Sequence, residues 1–244
     1  MQRPFNLSER ILWFGPGNNE DAVPGFSPLD LPGLWAWYDA AHPDSVRNGT
    51  GGVAANGEAV AEWRDRSGNS RSVTQETAVN RPTLTVAATR HLQFTPTPEA
   101  RFLEYLSPET LAQPNTIFLV GARDSAGQRV FLDGATGSQH AVYTESNLWG
   151  IFAGTVRTGG TPDTDRHLLR AVFHGASSSL AVDGVAVVSG DAGSESLGTV
   201  RFGLNAAGTG YALEGHLCEV IVVHGLLTAA QVTACEDYLR GKWL

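Results

Sequence analysis

Short apolar runs punctuated by turn residues set the pattern of this chain. Residues 34–38 (LWAWY) are apolar throughout, and residues 116–122 (TIFLVGA) carry no charge between Pro114 and Asp124. Both read as buried strands. Residues 39–61 are polar and hold two turn signals, HPDSVRNGTGG and ANGE. Residues 62–75 (EWRDRSGNSRSVTQ) read as a strand end followed by a Ser-Gly-Asn turn. In residues 178–189 two β-rich runs flank Asp183-Gly184, a pair that favours φ > 0 at both turn positions and so predicts a hairpin. Residues 167–173 and 214–224 predict two further strands. In residues 199–204, Val200, Phe202 and Leu204 share one face, with Arg201 and Gly203 on the other. The period then changes. Thr228 followed by Gln231 predicts a capping box, and Ala230, Val232, Ala234, Cys235, Tyr238 and Leu239 form a helical stripe that Gly241 is expected to end. Many short strands at this spacing with one closing helix predict an all-β, antiparallel two-sheet sandwich or barrel.

Residues 1–27 follow no such pattern. Phe5, Leu7, Ile11, Leu12, Trp13 and Phe14 stand among Pro4, Pro16, Gly17 and Pro24, which predicts an anchoring arm that packs on its own domain or on a neighbour. The remainder, 28–244, is expected to be one domain.

Composition narrows the function. Charged residues make up 17% of the 244, and there are 28 glycines. A coiled coil or helical bundle wants more charge and less glycine. The 42% hydrophobic content supplies a core, which argues against disorder. The net charge of −8, with no Lys/Arg run, is a poor footprint for nucleic acid or for an anionic membrane. The N-terminal stretch has no apolar run of a secretory signal, so retention in the cytosol or export by assembly into a virion is expected. Cys218 and Cys235 are too few for a disulfide framework or a zinc set. They are expected to be buried thiols, and a single bridge between them stays open.

The segments LPGLWAWYDA (31–40), WRDRSGN with TQ (63–75) and NRPTL (80–84) resemble the opening of concanavalin A-like lectin/glucanase domains of the laminin-G-like type. The second half resembles them more closely, through AVFHGASSSLAVDGV (171–185), FGLN (202–205), GHLCEVIVVHGLLT (215–228) and YLRGKW (238–243). The resemblance implies a jelly roll, of the kind found in bacterial surface proteins, carbohydrate-binding modules and phage fibre or tail proteins. Trp35, Trp37 and Trp63 are expected to pack in the core or at its rim, and Glu219 to face solvent or pair with an arginine.

The chemistry follows from that reading. Glucanases of this fold place Glu-x-Asp-x-x-Glu on one strand, and no such triplet occurs, so a glycoside hydrolase ranks last. His140, His167, His174, His216 and His224 do not fall at metal-ligand spacing. The resemblance implies a calcium ion, for which Asp39, Asp65, Asn69, Asp163 and Asp165 are the candidate ligands. A sugar site needs exposed aromatics beside amides and carboxylates. Tyr143, Glu145, Asn147, Trp149, Asn205 and Tyr211 are the candidates. The expected function is a non-enzymatic virion structural or adhesion protein. Its arm would contact other virion proteins in a homo-oligomer, and its lectin-like domain would bind a host glycan. The alternative is a free or bacterial cell-surface lectin.

Overall fold

The computed structural model describes residues 25–96, 100–106, 109–134, 137–208 and 210–244. The anchoring residues Phe5, Leu7, Ile11, Leu12, Trp13 and Phe14 lie outside this set. The first strands are β1 (Leu34–Asp39), β2 (Val46–Asn48), β3 (Val60–Trp63), β4 (Val73–Thr74), β5 (Thr83–Val86) and β6 (Arg90–Phe94). Next come β7 (Leu103–Tyr105), β8 (Asn115–Arg123), β9 (Arg129–Asp133), β10 (Ala141–Glu145), β11 (Leu148–Phe152) and β12 (Val156–Gly159). The series ends with β13 (His167–Phe173), β14 (Ser179–Val182), β15 (Val185–Ser189), β16 (Val200–Phe202), β17 (Gly215–His224) and helix α1 (Ala229–Trp243).

These strands form two antiparallel sheets. The first runs β15-β14-β13-β8-β17-β6-β5, with β1 also paired to β17; the second runs β12-β11-β10-β9-β16-β7-β4-β3-β2. The main core lies between them, where Trp63, Tyr38 and Phe202 meet with ring centroids 5.1 to 5.7 Å apart. The chain is a β-sandwich of jelly-roll type with one short C-terminal helix.

The uncharged run at 116–122 is explained by its place. All nine residues of β8 are buried. Ile117 and Leu119 face the main core, while Phe118 and Val120 face a second core beneath α1. A strand covered on both faces reads as continuous apolar sequence. The Asp183-Gly184 hairpin joins β14 to β15, with φ of 52° and 87° at the two turn residues.

The second core is where two expectations change. Glu219 is fully buried under α1, not on a wet face. It accepts hydrogen bonds from Trp37 Nε1 (2.7 Å), Tyr238 Oη (2.9 Å), Lys242 Nζ (2.7 Å) and Trp243 Nε1 (2.7 Å). Lys242 also reaches Asp39 at 2.8 Å, and Arg66 binds Asp39 at 2.9 Å. Gly241 does not end α1, which continues through Trp243. The last turn is held by these bonds and by Arg166 Nη1 on the Trp243 carbonyl at 3.0 Å. Tertiary contacts here outweigh the helix-ending tendency of glycine. Thr228 and Gln231 make the reciprocal cap at the helix start. Cys218 and Cys235 are both buried and free in this core.

Two buried histidines predict a pH response. Burial pushes His216 down to about 3, with His91, its ring tilted against it at 4.4 Å, and Arg166 adding to the effect. Burial against Phe173 pushes His140 down to about 4, against the hydrogen bond to the Glu195 carbonyl. The unfolded chain therefore takes up protons below about pH 6.5 that the folded chain refuses. Stability is full above that pH and falls as pH is lowered toward the folded values. The slope is up to about 1.4 kcal/mol per pH unit for each histidine. Burial raises Asp133 and Glu219 and so acts in the opposite sense. The His216→Gln variant isolates the His216 share. Urea midpoints measured between about pH 6.5 and about pH 4.5 should fall less steeply in that variant than in the parent; identical slopes would contradict the assignment.

Candidate functional site

The strand period of two decides what the outer face of the second sheet presents. On β10, Val142 points into the main core, so Ala141, Tyr143 and Glu145 point out. A bulge shifts the pairing so that Val142 faces Leu132 and Tyr143 faces Val130. Opposite Tyr143 on β11 stands Gly150. A Cβ there would lie 2.7 to 3.0 Å from the far end of the Tyr143 ring, so the ring rests against the glycine. A side chain at that position would displace the ring.

A loop from the other side closes the site. Val130 N donates to the Tyr211 carbonyl at 2.8 Å, which fixes Tyr211 over β9 with its side chain outward, 49% exposed. Arg201 on β16 donates to the Asn205 and Ala206 carbonyls, both at 2.9 Å, and is itself paired with Glu104 at 2.5 Å. Asp133 Oδ2 accepts from Ala206 N at 2.8 Å, and Gly210 N donates to Asn205 Oδ1 at 3.2 Å. The result is a pocket of about 260 Å³ lined by Gln128, Val130, Asp133, Gln139, Ala141, Tyr143, Glu145, Phe152, Val156, Asn205 and Tyr211.

The pocket joins apolar ring surface to polar groups at its edges. Gln128 Nε2 donates to Glu145 Oε1 at 2.5 Å, and Gln139 Nε2 reaches Asp133 Oδ2 at 3.2 Å. Burial, and then the charge of Glu145, raises the Tyr143 phenol, which stays protonated and so offers a ligand both a donor and an acceptor. Burial also raises Asp133, against backbone N–H bonds from Gly134 and Ala206.

Of the residues expected at a sugar site, Tyr143, Glu145, Asn205 and Tyr211 are brought together here. Two are elsewhere. Trp149 is 3% exposed and packs inward against Phe131 at 5.9 Å, because it lies one residue out of phase with Gly150. Asn147 sits in the β10–β11 turn at φ 59°, where its Oδ1 accepts from Arg123 Nη2 at 3.1 Å. Gln128, Asp133, Gln139 and Phe152 were missed, although Gln139, Ala141, Tyr143 and Glu145 alternate in the sequence as one strand face.

The candidate calcium ligands do not form a cluster. Asp65 receives Trp37 N, Ser67 N, Ser67 Oγ and Arg71 N at 2.8 to 3.0 Å, so its oxygens organise the turn. Asn69 donates to the Leu34 and Trp35 carbonyls. Asp39 is held by Arg66 and Lys242. Asp163 accepts from Asp165 N and meets His167 Nε2, both at 2.8 Å. Among the described residues no group of three or more His, Cys, Asp or Glu side chains is placed to hold a metal ion.

No protein-family pattern matches the sequence, and no curated protein matches it. Solved structures do resemble the fold. A Trypanosoma rangeli sialidase in complex with the inhibitor DANA superposes with a TM-score of 0.55 at 13% identity, over 88% of this chain and 33% of the sialidase. The binding domain of Botulinum Neurotoxin DC in complex with SialylT gives a TM-score of 0.55 at 7% identity, over 80% of this chain and 50% of that one. The chain thus spans about a third of the sialidase's length. At these identities the likeness is one of architecture, a jelly-roll β-sandwich.

Proposed function

We propose that the chain is a non-enzymatic carbohydrate-binding module that serves as the adhesion domain of a virion. The observation that carries the reading is the convergence of Tyr143 and Tyr211 with Glu145, Asn205 and Gln128 around one pocket. A sugar ring offers an apolar face to an aromatic ring and hydroxyls to amides and carboxylates, and this lining supplies both. The resemblance to a toxin's binding domain supports the fold on which such a site is built.

A binding role suits the groups present better than hydrolysis. A phenol kept protonated is a weak nucleophile, and Asp133 already accepts from Gly134 N, Ala206 N and Gln139 Nε2. Attachment to other virion proteins through residues 1–27, in a homo-oligomer, belongs to the same proposal and rests on the apolar cluster from Ile11 to Phe14. A glycan array probed with the full chain tests the saccharide reading. Binding to a subset of glycans, unchanged by a calcium chelator, is expected; an array without any bound glycan overturns it.

A further inference from the structure

The charges around this pocket bear on which saccharides it takes, an inference that rests on the carbohydrate-binding reading above. Two carboxylates, Glu145 and Asp133, line the pocket, while among the described lining residues none is Lys or Arg. Two nearby guanidiniums are paired with acids outside the lining. Arg201 is held by Glu104 at 2.5 Å and by the Asn205 and Ala206 carbonyls. Arg129 is held by Glu214 and Ser125, both at 2.8 Å. Arg157, next to the lining residue Val156, donates from Nη1 to the Val156 carbonyl at 2.9 Å and lies beside Gly190.

Recognition of an acidic sugar calls for a cation, most often a forked arginine, to meet the carboxylate or sulfate. An anion entering this pocket instead meets the Glu145 carboxylate. The remaining polar groups, the Gln128 and Gln139 amides and the two phenols, suit uncharged hydroxyls. An ammonium group on the ligand would gain from the carboxylates and from the tyrosine faces.

We infer that the pocket discriminates by charge, accepting neutral and amine-bearing sugars and rejecting sugars that carry a carboxylate or sulfate. Like charges brought together in a partly enclosed site oppose binding strongly enough to decide between otherwise matched ligands.

The test is an array that carries neutral galactosides and glucosides, de-acetylated amino oligosaccharides, and the sialylated, sulfated and uronate counterparts of the same chains. Bound members are then titrated pairwise. The acidic partner of each pair is expected to bind at least about tenfold more weakly. The Glu145→Gln variant is expected to narrow that gap several-fold. Acidic glycans that bind as well as or better than their neutral partners overturn the charge selectivity and leave the carbohydrate reading standing. A gap unchanged in the Glu145→Gln variant overturns the role given to that carboxylate. An array in which no class binds overturns the carbohydrate reading, and the selectivity with it.

Discussion

Replacing Glu219 with alanine should unlatch the C-terminal helix and cost about 3–5 kcal/mol of folding stability. The carboxylate is the shared acceptor for two indole N–H groups, one phenol and one ammonium, all beneath α1. Its removal leaves Lys242 with Asp39 and the Tyr238 hydroxyl, and leaves Trp37, Trp243 and Tyr238 as buried donors without the acceptor they share. Unsatisfied buried polar groups lose the desolvation they have already undergone. Burial, reinforced by Asp39, pushes the Glu219 carboxyl up, so the charged form depends on Lys242 and the indoles. A domain's whole stability is only about 5–15 kcal/mol, so the loss should be plain in the urea midpoint. Glu219→Gln keeps the volume and one acceptor and should lose less. A midpoint for the alanine variant within about 1 kcal/mol of the parent would show that the hub contributes little.

The second large effect concerns binding. Tyr143→Ala removes the ring that floors the pocket and should weaken saccharide binding on the order of 10- to 100-fold, the range of an aromatic anchor. Gly150→Ala offers an independent route to the same result. The three atoms nearest its added Cβ all belong to the far end of the tyrosine ring, so the ring is expected to move and the strand to stay. The folded domain should therefore persist, with an unchanged urea midpoint, while affinity falls. Calorimetric titration with a glycan that the parent binds provides the measurement. Full affinity in both variants would place the saccharide away from β10.

Much of the architecture was legible because strands and turns leave local marks. The 116–122 run announced a strand covered on both faces, and Asp183-Gly184 announced its hairpin. The capping box at Thr228 located the helix start. What the sequence did not reveal depends on contacts distant along the chain. Glu219 looked like an outward-facing acid because its partners are Trp37, far earlier in the chain, and three residues of α1. Gly241 looked like a helix stop because the bonds holding Trp243 come from β17 and from Arg166. Tyr143, Glu145, Asn205 and Tyr211 share one pocket lining, and Trp149 does not join them. Trp149 and Gly150 are neighbours on opposite faces, and the tryptophan went inward. Asp65 and Asn69 resembled ion ligands because the same oxygens and amides also build tight turns.

Amide chemical-shift mapping on the labelled full chain, titrated with a glycan found on the array, tests the central claim most directly. Saturable shifts should concentrate at residues 128–130 and 139–145 and in the loop 203–213, with Tyr143 and Tyr211 among the largest. Shifts confined instead to the turn at 65–69, to the face of β4 and β7, or to α1 would contradict the placement of the saccharide site.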